Sequence, residues 1–340
     1  MIAVSGASGF LGSHVVCMLL EKGNSVRAFK REHSSLAEFE FIFSSYFTDK
    51  SAHQQIKNRL TWVVADLLDV PALELALEGI DEVYHCAAVV SFVQKDRDQM
   101  MHINVDGTTN MINLSLMKGV KKFCHVSSIA AIGRGKSGEH ISEKMKWTES
   151  KNNSNYAISK YKAEMEVWRG VEEGLNAVIV NPGIILGTGD WTKGSCRLFN
   201  MVWRGMPFYT LGTGGYVDVK DVSTVMIKLM EKNIFSNRFI LVGENLLMKN
   251  FLDTVATHFN KKKPSIHAGF MLSQLAWMAD GLKSLFTGNS PSITRETARS
   301  ARNTFYYSSK KITETIDFQF TPMNETLKTI CNNFLINHQS

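Results

Sequence analysis

A glycine-rich turn directly follows the first apolar run of the chain. Residues Ile2–Val4 are apolar, and the sequence then reads GASGFLG over residues 6–12, with glycines at three-residue spacing. Glycine permits a tight turn and the close packing of a helix against a strand. Apolar residues at helical spacing follow from Leu11 to Leu20, which indicates an amphipathic helix. The chain therefore predicts a strand–turn–helix unit at its start.

Short apolar runs alternate with helical patterns as far as residue 180. The predicted strands are Ile2–Ser5, Ser25–Phe29, Thr61–Ala65, Glu82–Cys86, Lys122–Val126 and Ala177–Val180. Such alternation predicts βαβ units, a parallel sheet and right-handed crossovers. Residues 31–60 form a longer polar and aromatic insertion, which can supply an extra helix.

The pattern changes after residue 180. Turn residues occur at 181–183 and 212–215, and the later segments resemble helices joined by short strands. We expect an α/β fold, a Rossmann-type doubly wound parallel sheet with a smaller, mostly helical C-terminal cap over the carboxyl ends of its strands, where ligands bind in such sheets. The sheet domain is predicted to comprise residues 1–180 and about 217–243, and the interleaved cap 181–216 and 244–340.

Charge and cysteine content exclude several classes of partner. The 340 residues carry 38 Lys and Arg against 32 Asp and Glu, a formal net charge of +6. This mild, diffuse excess predicts no nucleic-acid partner, and the run at residues 261–263 is typical of a solvated loop. The five cysteines lack CxxC or CxxH spacing, so neither a disulfide framework nor a metal site is expected.

The ends and the apolar stretches of the chain predict its compartment. Because the glycine turn begins at residue 6, we expect no secretory signal. The longest nearly apolar stretch, residues 268–286, is interrupted by polar side chains, so it predicts an amphipathic helix packed on a core or facing a membrane or partner, rather than a membrane span. We expect a cytoplasmic protein with no membrane partner.

The position of the glycine turn predicts dinucleotide binding. A helix N-terminus offers unpaired N–H groups to a pyrophosphate that glycine lets approach closely. An NAD site places Asp or Glu at the end of the second strand, whereas this chain has Arg27, Lys30 and Arg31 there. Cations suit the 2′-phosphate of NADP(H), although one or more of them could instead be solvated surface groups. NADP(H) is the expected cofactor, with NAD(H) as the alternative.

Polar residues also follow the third and fourth predicted strands. Asp66 and Asp69 can each accept a hydrogen bond from the adenine amino group or serve as a helix N-cap, and the family resemblance described below favours the adenine contact for Asp66. The fourth strand closes on HCAA at residues 85–88, whose small residues let the backbone approach a cofactor. His85 itself is expected to be a packed core histidine.

A serine pair and a Tyr–Lys pair carry the chemistry. Ser127 and Ser128 follow a predicted strand, and Tyr156 and Lys160 lie four residues apart on a predicted helix, so that they share one helix face. A phenol is a poor base at neutral pH, but a neighbouring ammonium and an oxidised nicotinamide favour the phenolate. A serine hydroxyl opposite can hold the substrate oxygen for proton transfer.

These motifs together resemble the extended short-chain dehydrogenase/reductase family over nearly the whole chain. The resemblance implies that Ser128, Tyr156 and Lys160 form the catalytic set, Ser128 being chosen because it lies five residues before Gly133. It also implies the cofactor-binding residues, which are Gly6, Ser8, Gly9, Phe10, Leu11, Gly12, Arg27, Lys30, Arg31, Asp66, Leu67, Ala87, Ala88, Tyr156, Lys160, Pro182 and Gly183.

The branch of the family is inferred from what the chain lacks. No acidic pair follows Ser128, which argues against a sugar-nucleotide dehydratase, and Ile132 and Asn181 depart from the usual epimerase pattern. SSIAAIG and NPGIILGTGDW are similar to the dihydroflavonol reductase and hydroxysteroid dehydrogenase branch. This similarity implies an NAD(P)H-dependent oxidoreductase; a nucleotide-sugar epimerase and a non-enzymatic NADP(H) sensor are the alternatives.

Aromatic residues of the predicted cap suggest the kind of substrate. They are Trp191, Phe199, Trp203 and Phe208, and they favour an apolar, ring-like or aliphatic small molecule, unless they simply form the core of the cap. A small-molecule substrate and, as a protein assembly, a homodimer are the expected partners.

Overall fold

Seven parallel strands form the central sheet of the computed structural model, which describes residues 1–133, 135, 138–150, 153–269 and 304–339. They are β1 (Ile2–Ser5), β2 (Val26–Lys30), β3 (Leu60–Val64), β4 (Glu82–His85), β5 (Lys122–Val126), β7 (Ala177–Pro182) and β11 (Asn237–Leu241). Their order is β11-β7-β5-β4-β1-β2-β3, so the chain winds outward on both sides of β1. The predicted doubly wound sheet is confirmed, and its switch point lies between β1 and β4, where such sheets bind ligands.

Alternation of apolar side chains along the strands builds two cores. Ala3 and Val4 point to opposite faces of β1. Ala3 belongs to a buried cluster with Phe123 on one face, and Val4 belongs to a second cluster with Val15 on the other. Both faces of the sheet are therefore covered, as a parallel sheet requires.

Helices cover the two faces and build the cap. They are α1 (Phe10–Glu21), α2 (Ala37–Tyr46), α3 (His53–Lys57), α4 (Val70–Ala76), α5 (Arg97–Met101), α6 (Gly107–Met117), α7 (Asn155–Glu172), α8 (Cys196–Trp203), α9 (Val219–Glu231), α10 (Met248–His258), α11 (Lys310–Ile316) and α12 (Met323–Gln339). A π-helical turn at His102–Asp106 joins α5 to α6. The insertion at residues 31–60 supplies α2 and α3, and it buries Phe39 and Phe43.

Short strands complete the second half of the chain. They are β6 (His140–Ile141), β8 (Ile184–Leu186), β9 (Phe208–Tyr209), β10 (Thr213–Asp218), β12 (Glu244–Leu247), β13 (Ile266–His267) and β14 (Tyr306–Tyr307). β10 pairs with β8 in parallel and with β12 antiparallel, which makes a small sheet beside the central one. The predicted domain boundaries stay a prediction.

A separate aromatic core holds the helices of the cap together. Phe199 is fully buried there and Trp191 is 9% exposed, whereas Phe208 is 42% exposed. Trp191 and Phe199 therefore pack the cap itself. Most of the amphipathic helix predicted at 268–286 lies outside the described residues. In the part of the chain that the structure describes, no helix is long and apolar enough to cross a membrane.

Candidate active site

The glycine turn packs tightly between β1, β4 and α1. Gly6 has a φ of +67°, and a Cβ there would lie 2.7 Å from backbone atoms of Ala87. A Cβ on Gly12 would lie 2.1 Å from the carbonyl oxygen of Gly6. Only glycine fits either position, and α1 consequently begins directly at the turn. Its N-cap residue, Gly9, has no side chain to occupy the first N–H groups, which leaves them available to an anion.

A cleft of about 290 Å³ opens at this turn, over the carboxyl ends of β1, β2 and β4. Most of the predicted cofactor residues meet in its lining, namely Gly6, Ser8, Gly9, Phe10, Leu11, Gly12, Lys30, Arg31, Asp66, Leu67, Ala87 and Ala88. Ser34, Cys86, Val89 and Ile103 also line it without having been predicted. The glycine cradle, the helix N-terminus and the cations fit a dinucleotide phosphate chain.

The three cations of the second strand separate into two groups. Lys30 and Arg31 stand at the carboxyl end of β2 and line the cleft. Arg27 lies near the other end of the strand, where its Nη1 donates to the carbonyl oxygens of Ala76 and Glu78 at 2.9 and 2.7 Å. The structure thus corrects the placement of Arg27, because this guanidinium ties β2 to the end of α4 and does not face the cleft.

The two carboxylates after β3 also have different positions. Asp69 is the N-cap of α4, and its Oδ1 accepts the N–H of Ala72 at 3.1 Å. Asp66 lines the cleft, while its Oδ1 accepts the N–H of Leu68 at 2.9 Å. Of the two alternatives for Asp69, the structure shows the cap. Asp66 remains the carboxylate next to the cleft.

His85 is buried beneath the cleft, as a core histidine. Its Nδ1 lies 2.7 Å from Ser5 Oγ and its Nε2 lies 3.0 Å from Thr108 Oγ1. Burial lowers the pKa of His85 to about 3, so the imidazole is neutral at physiological pH. The expectation that His85 packs in the core is therefore confirmed.

Ser128, Tyr156 and Lys160 come together beside this cleft. Ser128 follows β5, where its Oγ accepts the N–H of Ala130 at 3.2 Å, and it lies close enough to the Tyr156 hydroxyl to oppose the rise in the pKa of that phenol. Tyr156 and Lys160 occupy the first turns of α7, whose N-cap Ser154 accepts the N–H of Ala157 at 2.8 Å. Ser127 points elsewhere, because its Oγ donates to the buried carboxylate of Glu164 at 2.8 Å.

Burial sets the ionisation of the Tyr–Lys pair. Burial raises the pKa of Tyr156, and the hydrogen bond from Ser128 opposes that rise. Burial lowers the pKa of Lys160 to about 8, against an opposing effect of Glu164. The Lys160 Nζ donates to the carbonyl oxygen of Val126 at 2.7 Å. Lys160 therefore keeps most of its charge at pH 7, and Tyr156 is a neutral proton donor there.

Pro182 and Gly183 lie at the end of β7, outside the lining of the cleft. A Cβ on Gly183 would lie 2.3 Å from the carbonyl oxygen of Gly215. The nearby Asn181 Nδ2 donates to the carbonyl oxygen of Ser128 at 3.0 Å. Gly183 thus allows β10 to approach, and the two residues stand next to the strand end that carries Ser128.

Sequence reasoning missed a buried polar network behind Ser128 and Lys160. Glu164 is fully buried and pairs with Arg238 at 3.0 Å. Arg238 comes from β11, 74 residues away along the chain, so no local pattern predicts the pair. The four-residue spacing of Lys160 and Glu164 on α7 was the one available signal.

Comparison of the sequence with known proteins identifies the family and several relatives of the chain. The sequence model of the NAD-dependent epimerase/dehydratase family matches residues 2–243. The chain is 28% identical to sterol demethylase protein B of Methylococcus capsulatus, over 83% of this chain and 82% of that protein. It is 27% identical to a putative dihydroflavonol 4-reductase of Synechocystis (95% and 91%). It is 30% identical to cinnamoyl-CoA reductase 1 of Petunia hybrida (78% of each).

Solved structures share the whole architecture. The crystal structure of gox2253 superposes with a TM-score of 0.79 at 27% identity, covering 99% of this chain and 98% of that one. A dTDP-glucose 4,6-dehydratase from Bacillus anthracis, solved in complex with NAD, has a TM-score of 0.75 at 15% identity, covering 99% and 97%. The predicted fold and family are both confirmed, and this chain belongs to the NAD-dependent epimerase/dehydratase family.

Proposed function

We propose that the protein is an NADP(H)-dependent oxidoreductase that reduces a ketone or aldehyde, or oxidises a secondary alcohol. The observation that carries this proposal is the buried Lys160, whose Nζ donates to the carbonyl oxygen of Val126 at the end of β5, so that Ser128, Tyr156 and Lys160 lie together beside the glycine-lined cleft. A nicotinamide cofactor, when bound, supplies or accepts the hydride. The chain's own residues then have to hold the substrate oxygen and move one proton.

Each residue of the set has a distinct task in this proposal. The Ser128 hydroxyl holds the substrate oxygen next to the Tyr156 hydroxyl. In reduction, Tyr156 gives its proton to that oxygen, and in oxidation its phenolate takes the proton back. The Lys160 ammonium favours the phenolate and binds the nicotinamide ribose. Phe92 meets the Tyr156 ring edge to face, with ring centroids 5.9 Å apart, and excludes water from that side of the phenol.

NADP(H) rather than NAD(H) is the proposed cofactor. Lys30 and Arg31 supply two cations where a 2′-phosphate would lie, and no acidic residue ends β2 to accept the ribose hydroxyls. Cationic side chains form charge-assisted hydrogen bonds with phosphate. Pro182 and Gly183 would line the nicotinamide side, since they adjoin the Ser128 strand end.

The proposed substrate is an apolar small molecule. The relatives are named for a sterol, a dihydroflavonol and a cinnamoyl thioester, all of which carry rings, and Phe92 offers an aromatic surface next to Tyr156. Trp191 and Phe199 pack in the core of the cap, which was one of the two alternatives for the cap aromatics, so the proposal does not rest on them. A cytoplasmic location and a homodimeric state belong to the same proposal.

The proposal is tested by NADPH oxidation across a panel of ketones, aldehydes and UDP-sugars, with Tyr156→Phe as the matched control. We expect turnover with at least one apolar carbonyl compound and its loss in Tyr156→Phe. Absence of turnover, or equal turnover in the two proteins, would refute the proposal. A nucleotide-sugar epimerase would instead isomerise a UDP-sugar without net NADPH use. An NADP(H) sensor would bind the cofactor and turn over nothing.

A further inference from the structure

A fully buried carboxylate lies one turn beyond Lys160 on α7. The Oε2 of Glu164 accepts hydrogen bonds from Ser127 Oγ at 2.8 Å and from Asn181 Nδ2 at 2.9 Å, and its Oε1 accepts one from Arg238 Nη1 at 3.0 Å. A buried charge is costly unless it is paired and hydrogen-bonded. Three donors, one of them the Arg238 guanidinium, meet this requirement for Glu164.

The donors of Glu164 come from the strands that surround the proposed catalytic set. Asn181 Nδ2 also donates to the carbonyl oxygen of Ser128 at 3.0 Å. The Nη2 of Arg238 donates to the carbonyl oxygens of Glu143 and Met145 at 2.7 and 3.0 Å. The carboxylate therefore joins the ends of β5 and β7 to β11 and to the segment before α7.

Among the described residues, four titratable groups act on Lys160 or respond to its charge. They are Cys86 and His85 at the end of β4, His125 on β5, and Glu164 on its own helix. Burial raises the pKa of the Cys86 thiol to about 12 and keeps both imidazoles neutral. Of these groups, Glu164 alone is an anion, and residues i and i+4 share a helix face.

We propose that Glu164 is a positioning residue that keeps Lys160 protonated and holds the Ser128 strand end in place, while Arg238 limits how much of the carboxylate's field reaches Lys160. This inference rests on the proposed function for its consequence in catalysis. Its electrostatic part concerns the protein alone, and it can be measured without cofactor or substrate.

Two substitutions should shift the pKa of Lys160 in opposite directions. Glu164→Gln removes the negative charge but keeps the size of the side chain, so the pKa of Lys160 should fall by about one pH unit, the lower end of what a nearby opposite charge does. Arg238→Gln removes the opposing positive charge, so the pKa of Lys160 should rise. Glu166→Gln is the matched control, because Glu166 lies on the same helix and pairs with Arg169 at 2.9 Å.

The direct measurement is an NMR titration of the cofactor-free protein labelled with ¹³C at the lysine Cε, the Lys160 signal being assigned by its loss in Lys160→Met. Circular dichroism establishes that each variant is folded. We expect the wild-type midpoint near pH 8, a lower midpoint in Glu164→Gln, a higher one in Arg238→Gln and no change in Glu166→Gln. If Glu164→Gln does not fold, the inference is tested by the upward shift of the Lys160 midpoint in Arg238→Gln alone. Unchanged midpoints in folded variants would overturn the inference.

The catalytic consequence is read from the alkaline limb of kcat/KM for carbonyl reduction. That limb should follow the Lys160 midpoint in each variant, whereas a purely structural role would lower kcat at every pH and leave the limb in place. Absence of NADPH oxidation by the wild-type protein would count against the proposed function only. Shifted midpoints with an unshifted limb in an active enzyme would overturn the link from Glu164 to catalysis.

Discussion

His125 makes a quantitative prediction about stability. It lies on β5 with no exposed surface, and neither ring nitrogen has a hydrogen-bond partner among the described residues. Leaving a buried polar group unsatisfied costs about 1–3 kcal/mol, and repacking a core position of similar size costs less than about 1.5 kcal/mol. We therefore expect His125→Leu to raise the free energy of unfolding by about 1 kcal/mol near neutral pH.

The increase in the free energy of unfolding that His125→Leu gives over the wild type should become larger as the pH falls. Burial holds the pKa of His125 well below 6.5, with Lys160 and His85 adding to the effect. The unfolded chain, whose histidines titrate near 6.5, takes up a proton that the folded protein refuses, so wild-type stability is lost as the pH falls below that value. For one such group the loss approaches about 1.4 kcal/mol per pH unit. His85 and His14 titrate identically in both proteins, so their effects cancel.

The assay is urea unfolding followed by circular dichroism, at about pH 7.5 and about pH 5.5. The difference between His125→Leu and the wild type should widen by about 1.4 kcal/mol between these conditions. His33→Leu is the control for removal of an imidazole from the surface, because the His33 side chain is 94% exposed. A less stable His125→Leu protein whose difference from wild type stays constant would refute the reasoning, since it would mean that the imidazole is satisfied or charged in the folded state.

Two further predictions concern the cleft and can be measured by fluorescence titration with reduced cofactor. Lys30→Ala and Arg31→Ala should each weaken NADPH binding about tenfold and leave NADH binding unchanged, since one charged hydrogen bond contributes about 1.5 kcal/mol; equal losses for both cofactors would contradict the 2′-phosphate assignment. Asp69→Ala should lower the free energy of unfolding by about 1 kcal/mol, because α4 loses its N-cap. The same substitution should leave the NADPH affinity unchanged. Weaker NADPH binding would show that Asp69 reaches the adenine.

Short apolar runs in the sequence correctly predicted several strands of the central sheet. The strands Ile2–Ser5 and Lys122–Val126 have the predicted bounds, because short apolar runs bounded by polar residues are buried in a parallel sheet. The seventh strand, Asn237–Leu241, was not among the predicted strands. Its polar start resembles a loop, and only pairing with β7, more than 50 residues earlier, makes it a strand.

The directions of side chains and their partners far along the chain could not be predicted from the sequence. The sequence does not distinguish Arg27 from Arg31. In the structure, Arg27 donates to carbonyl oxygens at the end of α4, whereas Arg31 lines the cleft. Ser127 and Ser128 differ likewise, because adjacent residues of an extended chain point to opposite sides. The partner of Ser127, Glu164, lies 37 residues away, so it was visible only after folding.

Transfer of deuterium from NADPH that carries deuterium at both C4 positions of the nicotinamide tests the central claim most directly. With a carbonyl compound that the protein turns over, we predict one deuterium on the carbinol carbon of the alcohol for each NADPH consumed, and no such product from Tyr156→Phe. An epimerase would retain its cofactor through each cycle and give no net NADPH consumption. A product that lacks deuterium, or an isomerised sugar formed without NADPH loss, would contradict the assignment of this site to net carbonyl reduction.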